Sequence, residues 1–218
     1  MNEKMRINYD NQLNLLHEEI VEMGKMVTNA INRSMDALVN KNTELAKDVM
    51  AGDKFVNAKE DDIESLALKL LLQEQPVASD FRFVTSTLRM ITDLERIGDQ
   101  AADISFLNIK MSNRTYKKSE LGSLIEMGVM TEEMVETVVR AYVNGDADLA
   151  QEVIKMDDKV DEYFNRVRKE VVDDVKNDKF TTKNSLDILM IAKYLERIGD
   201  HAENIAEKIY YSITGENK

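Results

Sequence analysis

The hexapeptide Leu-Glu-Arg-Ile-Gly-Asp occurs twice, at Leu94–Asp99 and again at Leu195–Asp200. Each copy sets a glutamate four residues before an aspartate: Glu95 and Asp99, then Glu196 and Asp200. On a helix that spacing stacks two carboxylates about one turn apart on one face. Like charges so placed repel, and a bound cation is the chemistry that would relieve them. A second set has the same spacing on other segments: Asp157 with Asp161, and, at the equivalent place in the first half, Asp53 with Asn57. Adjacent antiparallel helices would bring each pair against its partner. That gives two candidate metal sites, Asp53, Asn57, Glu95 and Asp99 in the first half and Asp157, Asp161, Glu196 and Asp200 in the second.

Helical angles sharpen the case. At ~100° per residue, Glu95 falls in the arc of Val84, Leu88, Ile91 and Gly98, and Glu196 among Leu189, Ala192 and Gly199. Asp157 falls between Val153 and Phe164. The solvated side of the third helix is expected to carry Arg82, Arg89, Asp93, Arg96 and Gln100. Acids intruding on an apolar arc without a counter-ion are expensive and protonate instead. Carboxylates and an amide suit hard or borderline ions such as magnesium, manganese, calcium or iron, with zinc admissible only outside a structural tetrahedral site. A ferritin-like di-iron centre would need Glu-x-x-His on two helices, and neither His17 nor His201 follows a glutamate at that spacing. His201 is expected at the surface. The bland reading of the acids is pairing with Arg96 and Arg197, and of Gly24, Gly98, Gly128 and Gly199, close packing between helices. The 13 methionines read as adaptable core filler.

The elements that must position these groups form two matching sets. Glu95 and Glu196 stand 101 residues apart, and Ala101 and Ile104 return at that spacing as Ala202 and Ile205. Earlier in each half the spacing is 104, as between Gly24 and Gly128, Val49 and Val153, or Asp53 and Asp157. The chain is a duplication. Apolar periodicity near 3.6 predicts helices over about 8–39, 44–74, 77–110, 117–143, 147–177 and 183–213. Asn40–Thr43 supplies caps, Pro76 suits a helix start, Asn144-Gly145-Asp146 ends one helix and caps the next, and Asn177–Thr182 closes the fifth. Ser112–Arg114 links the halves. The expected fold is all-α, two tandem three-helix bundles, residues 1–112 and 113–218, end to end or side by side.

Composition bounds the function. The net charge of −12 argues against nucleic acid and against an anionic membrane surface. There is no cysteine, hence no disulfide and no thiolate metal site. Met1–Gln12 lacks the apolar stretch of a signal peptide, and the apolar run Leu66–Leu72 is too short to span a bilayer, so a cytoplasmic location is expected. No Gly-rich phosphate loop and no nucleophile–base pair marks a catalyst, so the chain is expected not to be an enzyme. Flat helical faces offer a surface for a homodimer, without an a/d heptad seam to define it.

Gln75-Pro-Val-Ala-Ser-Asp-Phe-Arg82, followed by the doubled hexapeptide, resembles the PhoU family of phosphate-transport accessory proteins, and the resemblance runs from the first helix to the last. It implies two three-helix bundles in a cytoplasmic regulator that dampens uptake by the phosphate ABC transporter. It implies, too, that the phosphate-sensing histidine kinase is held inhibitory, with the transporter's ATPase subunit and the kinase as partners. Family members carry acid-x-x-x-acid motifs that bind metal clusters on the bundle surface, and the matching positions are the eight already named. Asn57 departs from that pattern opposite Asp161, and Asn204 stands where the first half has Asp103, so the first site would be weaker or would draw on Asp61 or Asp103. The alternative reading is a metal store or metalloenzyme built on the carboxylate clusters.

Overall fold

The computed structural model describes residues 3–73, 78–112, 121–177 and 182–216. Among these lie six helices and no strand: α1 (Glu3–Asn40), α2 (Thr43–Gln73), α3 (Ala78–Met111), α4 (Gly122–Asn144), α5 (Ala147–Lys176) and α6 (Thr182–Thr214). Their ends follow local chemistry. Asn42 Oδ1 accepts the Leu45 amide at 3.1 Å to start α2, after a turn in which Lys41 takes a positive φ of 53°. Gly145, at φ 59°, closes α4 in the left-handed conformation, and Asp146 then caps α5 by accepting the Leu149 amide at 2.9 Å. Pro76, Asn113–Arg114, residues 117–120 and Asp178–Thr181, to which the sequence also assigns roles, lie outside the described residues.

α1, α2 and α3 pack on one another, as do α4, α5 and α6. The two sets lie side by side, joined where α3 meets α6 and α1 meets α4, and their apolar side chains form one continuous core. This leaves α2 and α5 on the outer flanks. α5 accordingly buries a narrow stripe, Ala150, Val153, Met156, Val160, Val167 and Val171, at helical spacing. α3 is covered from two sides and buries polar groups as well, among them Gln100 at 4% exposure, Ser105 and Asn108.

That two-sided burial corrects one expectation. Asp93 and Gln100 do not lie on a solvated side of α3, because α6 covers it. His201 is not a surface residue either. Its Nδ1 sits 2.9 Å from Asp93 Oδ1, with both side chains less than one-fifth exposed, and ties α6 to α3.

At the other junction the duplication shows in atomic detail. A Cβ on Gly24 of α1 would come within 2.6 Å of Val139 Cγ2 on α4, and a Cβ on Gly128 of α4 within 2.7 Å of Met35 Cε on α1. Met35 and Val139 are themselves related by the internal repeat, so each glycine receives the other half's copy of the same position. Such a reciprocal contact is what a two-fold interface produces, here within one chain.

The two glycines nevertheless face different neighbours. Val139 is stiff at χ1, whereas the Met35 thioether end can swing aside. Gly24→Ala is therefore expected to cost about 1–2 kcal/mol, overpacking exceeding the gain of about 1 kcal/mol in helix propensity. Gly128→Ala should be near neutral. Urea denaturation of the two variants checks the difference, and equal losses would show that the stiffness of the facing side chain does not set the cost.

Candidate functional site: paired acidic grooves

The repeated hexapeptide lies on α3 and α6, and its glycine packs directly against the flanking helix. A Cβ on Gly98 would stand 3.1 Å from Val56 Cγ1 and 3.6 Å from Asp53 Oδ1 of α2. On Gly199 it would stand 3.2 Å from Val160 Cγ1 and 2.9 Å from Asp157 Oδ1 of α5. Close packing explains both glycines, and it does more than join helices. It draws one aspartate of each flanking helix under cover, beside the acids of the hexapeptide.

In the first groove, Asp53 Oδ1 is buried and has no hydrogen-bond partner. Burial pushes the Asp53 carboxyl above its ordinary range, the Asp99 charge adds to this, a hydrogen bond from Asn57 opposes it, and Asp103 adds a little more. Glu95, its side chain 15% exposed, is raised chiefly by burial and then by Asp99, with Arg96 pulling the other way. Arg96 serves both acids of its own helix, its Nε 3.4 Å from Glu95 Oε2 and its Nη1 3.1 Å from Asp99 Oδ2.

The second groove is more acidic. Asp157 is pushed up to about 7, first by burial and then by the charges of Glu203, Asp200, Asp161 and Glu196. Lys193 ion-pairs with Glu196 from one turn away. Asp161 and Asp200 are exposed and act on Asp157 from the rim.

The structure thus brings the acids of α2 and α3, and of α5 and α6, into two grooves. Two members escaped the motif. Glu60 accepts a hydrogen bond from Thr92 Oγ1 at 3.1 Å and acts on Glu95, and its carboxyl is raised by burial. Glu203 is likewise raised by burial and by Glu207 and Asp200. Each continues its helical face seven residues beyond Asp53 or Glu196, a spacing that could have flagged them.

The all-oxygen donor set has the chemistry for a hard cation. Yet among the described residues no group of three or more His, Asp or Glu side chains comes together as a metal-holding set. Arg96 and Lys193 supply part of the countercharge from within the helices themselves. The grooves are electrostatically poised for a cation, but their side chains are not arranged as a coordination shell.

A duplicated all-helical fold with the hexapeptide at the heart of each half defines the class. The family described as the PhoU domain matches twice, at residues 20–106 and 124–209, and the chain belongs to it. A phosphate-specific transport system accessory protein PhoU homolog of Clostridium acetobutylicum is 34% identical over 95% of this chain and 94% of its own length. The phosphate-specific transport system accessory protein PhoU of Escherichia coli is 30% identical over 100% of this chain and 90% of its own. Among solved structures, PhoU from Pseudomonas aeruginosa superposes with a TM-score of 0.91 at 30% identity, over 95% of this chain and 100% of that one. The phosphate transport system regulatory protein PhoU from Streptococcus pneumoniae gives 0.88 at 28%, over 96% and 99%.

The raised Asp157 predicts a pH dependence. Its folded value of about 7 lies above the ordinary 3.8, so between the two the folded chain holds more protons than the unfolded one. Stability from this group is then greatest below about pH 4, declines as pH rises toward 7, and stays low above it. Asp157→Asn should remove that decline and melt higher than the parent at pH 8. Thermal denaturation from pH 5 to 8 with chelator present reads this, and a variant melting lower at pH 8 would refute it.

Proposed function

We propose that this chain is an accessory and regulatory component of a phosphate transport system, a non-catalytic adaptor in the cytoplasm. It contacts the ATPase subunit of the phosphate ABC transporter and the sensory part of a phosphate-sensing histidine kinase, and it lowers phosphate uptake and the starvation response when phosphate is plentiful. The observation that carries this reading is whole-chain agreement with proteins described as phosphate transport accessory or regulatory proteins, in both repeats. Physical features fit an adaptor. Long helices present extended faces, and among the described residues no helix is long and apolar enough to cross a membrane. Tagged protein purified from phosphate-replete cells should retain the ATPase subunit and the kinase, and deletion of the gene should derepress a starvation reporter. Recovery of neither partner, with the reporter unchanged, would sink the proposal.

A second reading, metal binding, is favoured by one observation: four carboxylates crowd the second groove around an aspartate whose proton is held up to about pH 7. Asp157, Asp161, Glu196 and Asp200 would hold a hard divalent cation, which would supply the missing positive charge. The matching first-half set, Asp53, Asn57, Glu95 and Asp99, has one charge fewer and Arg96 already in place. Manganese or magnesium should raise the melting temperature over chelator-treated protein, by mass action on the folded state. The rise should vanish in an Asp157→Asn, Asp200→Asn double variant and persist in Asp53→Asn. No rise with either metal would leave the acids as a salt-bridged surface.

A further inference from the structure

Gly52 sits in the middle of α2, where glycine is destabilising relative to alanine. Gly24, Gly98, Gly128 and Gly199, inside the other helices, each have a neighbour that a Cβ would crowd, whereas at Gly52, as at Gly122 in the first turn of α4, a Cβ would meet nothing within 4 Å. What its missing side chain leaves is space. A cavity of about 170 Å³ opens there between α1 and α2, roughly six times the ~30 Å³ share of a water molecule in the liquid. Ala30, across the cavity on α1, is a second small residue at its wall. The internal repeat shows what a filled version would hold. The positions equivalent to Gly52 and Ala30 in the second half are Met156 and Met134, both buried.

The lining has a definite polarity. Met26, Val49 and Val56 make an apolar wall, and Phe55, 60% exposed, forms part of the boundary. Asp53 and Gly98 also line it, and Asp53 Oδ1 is the buried oxygen without a partner. Arg33 is matched at its edge by Asp48, 3.5 Å away, so the charge left over is the Asp53 carboxylate. An aliphatic wall with one unpaired anionic acceptor suits an alkyl chain ending in a cationic donor.

We infer that the cavity at Gly52 is a binding pocket for a slender cationic group, an ammonium or guanidinium on a short aliphatic chain, whose head bonds Asp53 Oδ1 and whose stem lies on Met26, Val49 and Val56. Its source is either a free amine or a lysine or arginine side chain of a docking protein. The inference does not depend on the accessory role proposed above, since nothing in it invokes phosphate or the transporter.

The test titrates isotope-labelled full-length protein, in chelator, with butylammonium and butylguanidinium while recording backbone amide shifts. Saturable shifts are expected at residues 49–56 and at Gly98. Gly52→Met should weaken binding at least tenfold while raising the melting temperature, because the new side chain enters open space. Asp53→Asn should weaken it comparably, and neutral pentanol should fail to saturate. A capped pentapeptide with a central lysine distinguishes the sources: tighter binding than the free amine assigns a partner's side chain, weaker binding a free amine. Shifts that never saturate, or affinity unchanged by Gly52→Met, would overturn the pocket. Pentanol binding as well as the amine would overturn its cationic specificity.

Discussion

Everything distinctive about this chain follows from how closely the outer helix of each half approaches the inner one. A Cβ at Gly199 would come within 2.9 Å of Asp157 Oδ1, and one at Gly98 within 3.1 Å of Val56 Cγ1, so a side chain at either place would push the outer helix away. That approach is what takes an aspartate out of water. Without it, Asp53 and Asp157 would sit on exposed flanks as ordinary ionised surface acids, and the hexapeptide acids would have nothing to crowd. The glycine and the acids of the motif are one device: the first sets the distance, and the distance gives the others their strained electrostatics.

The duplication shows how small changes redirect that device. In the second groove the residue one turn beyond the half-buried aspartate is Asp161, whose charge raises Asp157 further. In the first it is Asn57, which donates a hydrogen bond to Asp53 and opposes the shift. Countercharge differs as well. Arg96 bridges two acids in the first half, whereas Lys193 pairs with one in the second and lies 5.7 Å from the Phe164 ring centre. A gene duplication supplies two copies of one geometry, and substitutions at the rim then set their charge independently.

Much of this was legible in the sequence, and what was not has a single cause. Helix ends are decided within a few residues, so Asn42, Gly145 and Asp146 announced α2, α4 and α5 where they are found. The pairing of α2 with α3 and of α5 with α6 followed from matched four-residue spacings. The side-by-side union of the halves is different. It depends on surfaces far apart in the chain, and a helix covered on two sides no longer has a polar face that periodicity can identify. Asp93, Gln100 and His201 defeat the pattern for that reason: Asp93 and His201 meet across the junction of α3 and α6, and Gln100 is buried although polar. Glu60 and Glu203 escaped because a motif read at four-residue spacing stops one turn before they join the face.

The same two-sided packing explains why the acids could gather where they do. α3 and α6 pack on each other across the junction and also on both helices of their own half, while α5, on the flank, buries only one narrow stripe. The seam between an inner and an outer helix is therefore the boundary of the core. There a carboxylate is desolvated enough for its proton affinity to respond to its neighbours, yet its other oxygen and the flanking acids still reach the surface. A group in that position can take up or release a proton without the fold coming apart. Deep burial would forbid the exchange, and full exposure would make it energetically indifferent. The seam supplies the intermediate condition twice, once in each half of the molecule.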